Sequence, residues 1–259
     1  QTAQIGKTDP NDLSVYKEIL VGIGESSVPR PIHLAWHEKA RKSRIIVFQD
    51  TAGEAFSHKG SITPSVEHLV SAKSLIFVLD PFQDPSFRSV ISKQDPQFKI
   101  FTEGGSSRQD LLILETADRI RKLQGKSTDE KIQIPMVFAI NKFDAWKQLI
   151  NEVDITESVF SLDDDENICL DNSKIAFVNS VMRRMLKTHV PDWIDAIDTI
   201  TNDAIIVPCA PLGISPTGDN YGSLKINVSE ISPIWSHIPF LISILKSSEF
   251  LNNTNSRPT

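Results

Sequence analysis

Three continuous apolar runs constrain this chain more than any other feature. They are Ser74-Leu75-Ile76-Phe77-Val78-Leu79-Asp80, the stretch from Ile134 to Ile140, and Ala204-Ile205-Ile206-Val207-Pro208. A strand with one wet face alternates apolar and polar residues, whereas a strand apolar along its length is buried on both faces, as in a parallel sheet. Helical patterns fall between the runs. Arg108 to Leu123 carries Leu111, Leu112, Leu114, Ala117, Ile120 and Leu123 on or near one side. Ser173 to Val190 repeats the pattern with Ile175, Val178, Val181, Met182, Met185 and Leu186, and ends on Lys187 and His189, which suit a helix C-terminus. Ser236 to Phe250 packs Ile238, Leu241, Ile242 and Leu245. Strands alternating with helices predict an α/β fold: a mostly parallel sheet with helices on both faces.

The region before the first run reads differently. Ile32-His33-Leu34-Ala35-Trp36 alternates, His37 to Ser43 is a charged turn, and Arg44 to Asp50 returns as a more buried strand, which makes a hairpin. Two segments look inserted. Residues 81–106 are rich in Pro, Gln, Ser and Gly, and residues 147–172 hold the acidic run Asp163-Asp164-Asp165-Glu166. That run reads as a solvated loop, because consecutive carboxylates do not by themselves converge on an ion. Residues 252–259 form a polar tail expected to fray.

Composition removes several function classes. With 259 residues the chain suits one domain with insertions, and its net charge of -6 gives no electrostatic case for a nucleic-acid surface. No apolar stretch approaches the ~20 residues of a membrane span. Cys169 and Cys209 form neither a disulfide framework nor a metal-ligand spacing, so a reducing, cytoplasmic setting is expected. His33 and His37 flank a strand end and not a helix face, and they read as surface residues and not as a metal pair. Trp146, Trp193 and Trp235 read as packing residues.

Two motifs follow strands and carry chemistry. Asp50-Thr51-Ala52-Gly53-Glu54 stands directly after Ile45-Ile46-Val47-Phe48. A carboxylate at a strand end can hold Mg²⁺ through water, and Gly53, without a side chain, lets its N–H approach a γ-phosphate. Asn141-Lys142-Phe143-Asp144 stands directly after Met136-Val137-Phe138-Ala139-Ile140. A carboxylate at 144 can accept from both the N1–H and the 2-amino group of guanine; adenine cannot supply both, and would leave the carboxylate unpaired. The Lys142 stem can lie along base and ribose, and Asn141 can tie neighbouring loops. Cys209-Ala210 ends the next strand, where the Ala210 N–H could meet the guanine O6.

In that order these elements resemble the Ras-like P-loop small GTPase domain. The long spacing, the Leu79-Asp80-Pro81-Phe82 strand end and the closing segment from Pro233 to Leu241 are similar to the bacterial double-GTPase group. The resemblance covers most of the chain from Pro31 onward. It implies a single GTPase-like domain over residues 1–259, with 1–30 next to switch I. It also implies GTP or GDP and Mg²⁺ as ligands, and a nucleotide-dependent change around Ile23 to Arg30 and Thr51 to Lys59 read by an effector or regulator protein.

The resemblance breaks at the phosphate-binding loop, where G-x-x-x-x-G-K-[ST] is expected after a strand. Gly6-Lys7-Thr8 matches only its end, with Thr8 as a candidate Mg²⁺ ligand; Gln1 occupies the first glycine position and Pro10 falls in the following helix. Glu18 to Val28 reads as a strand and loop, but Pro29-Arg30-Pro31 stands where Gly-Lys-Ser should, and proline has no N–H to donate. Three readings stay open: a phosphate loop upstream of Gln1, a degenerate loop, or a shortened real loop at Gly6-Lys7-Thr8. Where many small GTPases carry a water-orienting glutamine this chain has Glu54, so slow hydrolysis is expected. Arg30 reads either as an arginine finger or as an exposed loop arginine. The competing functional expectation is a catalytically inactive pseudo-GTPase serving as an interaction scaffold.

Overall fold

The computed structural model describes residues 2–4, 16–20, 25–29, 31–36, 44–50, 68–91, 108–155, 158–162, 164, 168–218 and 224–247. Its strands are β1 (Thr2–Gln4), β2 (Tyr16–Leu20), β3 (Glu25–Pro29), β4 (Ile32–Trp36), β5 (Arg44–Phe48), β6 (Leu75–Leu79), β7 (Met136–Ile140), β8 (Phe160–Leu162), β9 (Ile168–Leu170), β10 (Ala204–Pro208), β11 (Thr217–Gly218) and β12 (Leu224–Asn227). The helices are α1 (Pro85–Arg88), α2 (Gln109–Leu123), α3 (Phe143–Trp146), α4 (Asn172–His189), α5 (Pro191–Ile200) and α6 (Ile238–Lys246).

The three apolar runs form one parallel sheet in the order β10-β7-β6. Leu75, Met136 and Ala204 are level at one end, and Leu79, Ile140 and Pro208 at the other. Because the strands are equal in length and in register, the residues that follow them emerge side by side. All five residues of β7 are buried. Side chains alternate between faces along a strand, so both faces of the central strand are covered. α4 packs on β10, α6 packs on β7 and β6, and α5 packs on both α2 and α4.

Parallel pairing is confined to these three strands among the described residues. The others pair antiparallel: β2 with β3, β4 with β5, β8 with β9, and β12 with β1 and β11. The expectation of a mostly parallel sheet is therefore met only in part. Glu18 to Leu20, read as the strand leading into a phosphate loop, lies instead in one arm of the β2–β3 hairpin. The β4–β5 hairpin pairs as expected, from Ile32 opposite Phe48 to Trp36 opposite Arg44.

The two segments read as insertions both contribute to the core. Asp80 and Asp84 cap short turns in the first: the Asp84 carboxylate accepts from the N–H groups of Ser86 (2.8 Å) and Phe87 (3.1 Å), and Pro85 takes the first helical position. This aims Phe82 and Phe87 inward, where both are fully buried. Phe87 stacks on Trp193 with centroids 6.1 Å apart and meets Trp146 edge-on at 5.8 Å. Phe143 in turn meets Trp146 at 4.8 Å. The cluster ties α1, α3 and α5 together, and each ring pair contributes ~0.5–1.5 kcal/mol beyond burial. The second segment holds the β8–β9 hairpin and buries Ile150, Val153 and Val159. Asp164 in its acidic run is exposed.

α4 starts one residue before the expected boundary, capped by the Asp171 carboxylate on the Lys174 N–H (3.0 Å). α5 was not expected. Pro191 ends α4 and opens α5, whose Trp193, Ile194, Ala196, Ile197 and Ile200 are buried.

Candidate functional site

The level ends of β6, β7 and β10 place Asp80, Asn141 and Cys209 next to one another, and backbone bonds lock the three exits. The Asn141 N–H donates to the Leu79 carbonyl (2.9 Å), the Cys209 N–H to the Ile140 carbonyl (2.9 Å), and the Phe143 N–H to the Cys209 carbonyl (3.0 Å). Open parallel sheets carry their ligand sites at this end of the strands.

Asn141 acts as the local tie. Its side-chain oxygen accepts from the Lys142 N–H (2.7 Å) and lies 4.0 Å from the Cys209 sulfur, while its carbonyl accepts from the Trp146 indole N–H (2.8 Å). Lys142 sits in the left-handed region (φ 56°), which costs a non-glycine residue about 1 kcal/mol and is held here by the surrounding bonds. Its ammonium pairs with the Asp80 carboxylate at 2.8 Å and lies 4.9 Å from the centre of the Phe82 ring. The pair is more than four-fifths shielded at both side chains, so solvent screens it less than a surface ion pair. Asp144 lies in the single turn of α3, and its carboxylate accepts from the Ser215 hydroxyl at 3.2 Å.

Cys209 is buried, and that burial pushes its thiol from an ordinary value of 9.0 up to about 12, so it stays a neutral thiol at physiological pH. Ala210 exchanges both backbone bonds with Ile234: its N–H donates to the Ile234 carbonyl (2.8 Å) and its carbonyl accepts in return (2.9 Å). The Ala210 N–H, expected to meet a guanine O6, is donated here to the Ile234 carbonyl.

Five of the sequence-derived site residues thus meet in one place: Asn141, Lys142, Asp144, Cys209 and Ala210. Asp50 follows β5, exposed, and no hydrogen bond or ion pair among the described residues ties it to that group. Gly6, Lys7, Thr8, Gly53 and Glu54 lie outside the described residues. Among the described residues no group of three His, Cys, Asp or Glu side chains is placed to hold a metal. A shallow apolar depression of about 370 Å³ lies elsewhere, between the β4–β5 hairpin and α6, lined by Ile32, Leu34, Phe48 and Phe240. Ser236 and His237 complete its lining.

The contacts of three participants were not legible in the sequence. Asp80 and Phe82 hold Lys142, and Ser215 holds Asp144; each reaches its partner across 60 or more residues of chain. No protein-family model, curated protein or solved structure matches the chain. No helix among the described residues is long and apolar enough to cross a membrane.

Proposed function

We propose that this chain is a Ras-like GTPase-type domain that binds guanine nucleotide at the ends of β6, β7 and β10. The reading is supported most by one observation: the Asn141-Lys142-Phe143-Asp144 loop meets the Cys209-Ala210 loop across adjacent parallel strands, joined by the Phe143–Cys209 backbone bond. In this reading Asp144 accepts from the base N1–H and 2-amino groups. The Lys142 stem forms a wall of the base site, and Asn141 braces both loops. Gly53 contacts the γ-phosphate, Asp50 attends Mg²⁺, and Glu54 beside the γ-phosphate keeps GTP hydrolysis slow. Gly6 and Lys7 take the phosphates and Thr8 the metal only where that short loop is the working one of the three open alternatives. Mg²⁺, when bound, neutralises phosphate charge; orientation and base choice belong to the chain.

A second reading has its own support. Lys142 is paired to Asp80 and Ala210 to Ile234, so the loops are held by contacts internal to the protein. This suits a pseudo-GTPase whose sheet is a scaffold for a protein partner. Titration of the chain with GDP and Mg²⁺, followed by NMR to millimolar ligand with ADP as control, separates the two. Shifts that include the 141–146 and 209–216 loops with GDP and not with ADP support the nucleotide reading; no response to GDP refutes it.

A further inference from the structure

The loop that follows Ala210 is built with little freedom. The Ala210–Ile234 bond pair fixes its start, and the Ser232 N–H donates to the Leu212 carbonyl at 2.9 Å. Gly213 then turns with φ +66°, and a β-carbon there would lie 1.6 Å from the Ser232 carbonyl oxygen. Only glycine combines that backbone angle with that approach. Two residues later Ser215 directs its hydroxyl onto the Asp144 carboxylate at 3.2 Å, 71 residues away in sequence. The bracing of this loop against the 232–234 segment therefore sets where one carboxylate oxygen of Asp144 is held.

We propose that Ser215 is a specificity-determining positioning residue, whose hydroxyl fixes the carboxylate plane of Asp144 so that both oxygens face the same edge of a purine. This rests on the nucleotide-binding reading and deepens it. A carboxylate that accepts two parallel N–H bonds must be coplanar with its partner, and one free to rotate about its terminal bond loses the second bond more readily than the first. A hypoxanthine nucleotide, which makes only the N1–H bond, needs no coplanar pair and loses less when the carboxylate can rotate. The ligand class favoured is therefore a purine nucleotide with donors at both N1 and the 2-amino position, over a hypoxanthine nucleotide that has only the first.

The test compares GDP with inosine diphosphate on the full 259-residue chain and on two variants, Ser215→Ala and Ser215→Thr, by NMR titration in the presence of Mg²⁺. Ser215→Ala is expected to weaken GDP binding about five- to tenfold, with a smaller effect on inosine diphosphate, so that their ratio moves toward one. Ser215→Thr, which keeps the hydroxyl, is expected to restore the ratio. An unchanged ratio in Ser215→Ala, with the wild-type preference for GDP intact, overturns the role of Ser215 and leaves the nucleotide reading standing. Wild-type chain that binds neither ligand, or binds GDP and ADP alike, overturns both.

Discussion

Gly213 and Gly125 form a matched pair for testing how tightly the site loop is built. Both have φ +66°. Gly125 ends α2 in a capping turn, with its own N–H on the Lys122 carbonyl (3.2 Å) and the Lys126 N–H on the Arg121 carbonyl (2.8 Å), and nothing lies within 4 Å of where its β-carbon would stand. Gly125→Ala therefore costs only the left-handed penalty, about 1–2 kcal/mol. At Gly213 the same methyl would stand 1.6 Å from the Ser232 oxygen and 2.6 Å from its carbon, where ordinary contact begins near 3.4 Å. The obstacle is backbone, so the loop or the 232–234 segment must move by about 2 Å. Such a shift breaks the Ser232–Leu212 bond and both Ala210–Ile234 bonds. Three backbone bonds at ~0.5–1.5 kcal/mol each, added to the left-handed penalty, make Gly213→Ala cost roughly 2.5–6.5 kcal/mol. Urea unfolding followed by tryptophan fluorescence measures both variants. If Gly213→Ala is no more destabilising than Gly125→Ala, the loop is not braced as described, and the positioning of Ser215 loses its basis.

Two further outcomes follow from the core and the site. Asp84→Ala removes the cap on Ser86 and Phe87 and orphans the buried Trp193 indole N–H, which donates to the other Asp84 oxygen at 3.1 Å; a loss of about 2–4 kcal/mol is expected by urea denaturation, and one below 1 kcal/mol would contradict the cap-plus-indole arrangement. Cys209, buried and raised to about 12, is expected to resist a thiol reagent at pH 8 in the native protein, whereas the half-buried Cys169 reacts. The sign of its pH linkage follows from the same shift: the folded state holds the proton more tightly, so stability from this group is intact below pH 9.0 and is lost between there and about pH 12. Stability flat across that window would mean Cys209 is accessible to water.

The parallel strands were legible because Leu75–Leu79, Met136–Ile140 and Ala204–Pro208 contain no polar residue; β7 and β10 are buried along their whole length, as such runs lead one to expect, whereas β6 leaves Val78 exposed. Motif residues attached to those strand ends were legible for the same reason: Asn141, Lys142, Asp144, Cys209 and Ala210 arrive together because the strands end level. α5 was not anticipated: of its residues only Trp193 was singled out, as a packing residue. The apolar spacing of Trp193, Ile194, Ile197 and Ile200 is itself helical and could have revealed it. Phe82 and Phe87 were hidden in a Pro-, Gln- and Ser-rich stretch whose composition suggests a surface loop, yet the Asp80 and Asp84 caps turn both rings inward. The Ala210–Ile234 pairing and the Ser215–Asp144 bond left no local trace, since each joins residues distant in sequence through a loop without periodicity.

The most direct test exchanges the base. Asp144→Asn turns one acceptor of the carboxylate into a donor, which opposes the guanine 2-amino group and matches the carbonyl that xanthine carries in its place. With GDP and xanthosine diphosphate titrated in parallel against wild type and Asp144→Asn, the wild-type chain is expected to favour GDP and the variant to favour xanthosine diphosphate, each by at least tenfold. Identical preferences in the two proteins, or no binding of either nucleotide to either protein, would contradict a guanine site at the ends of these three strands.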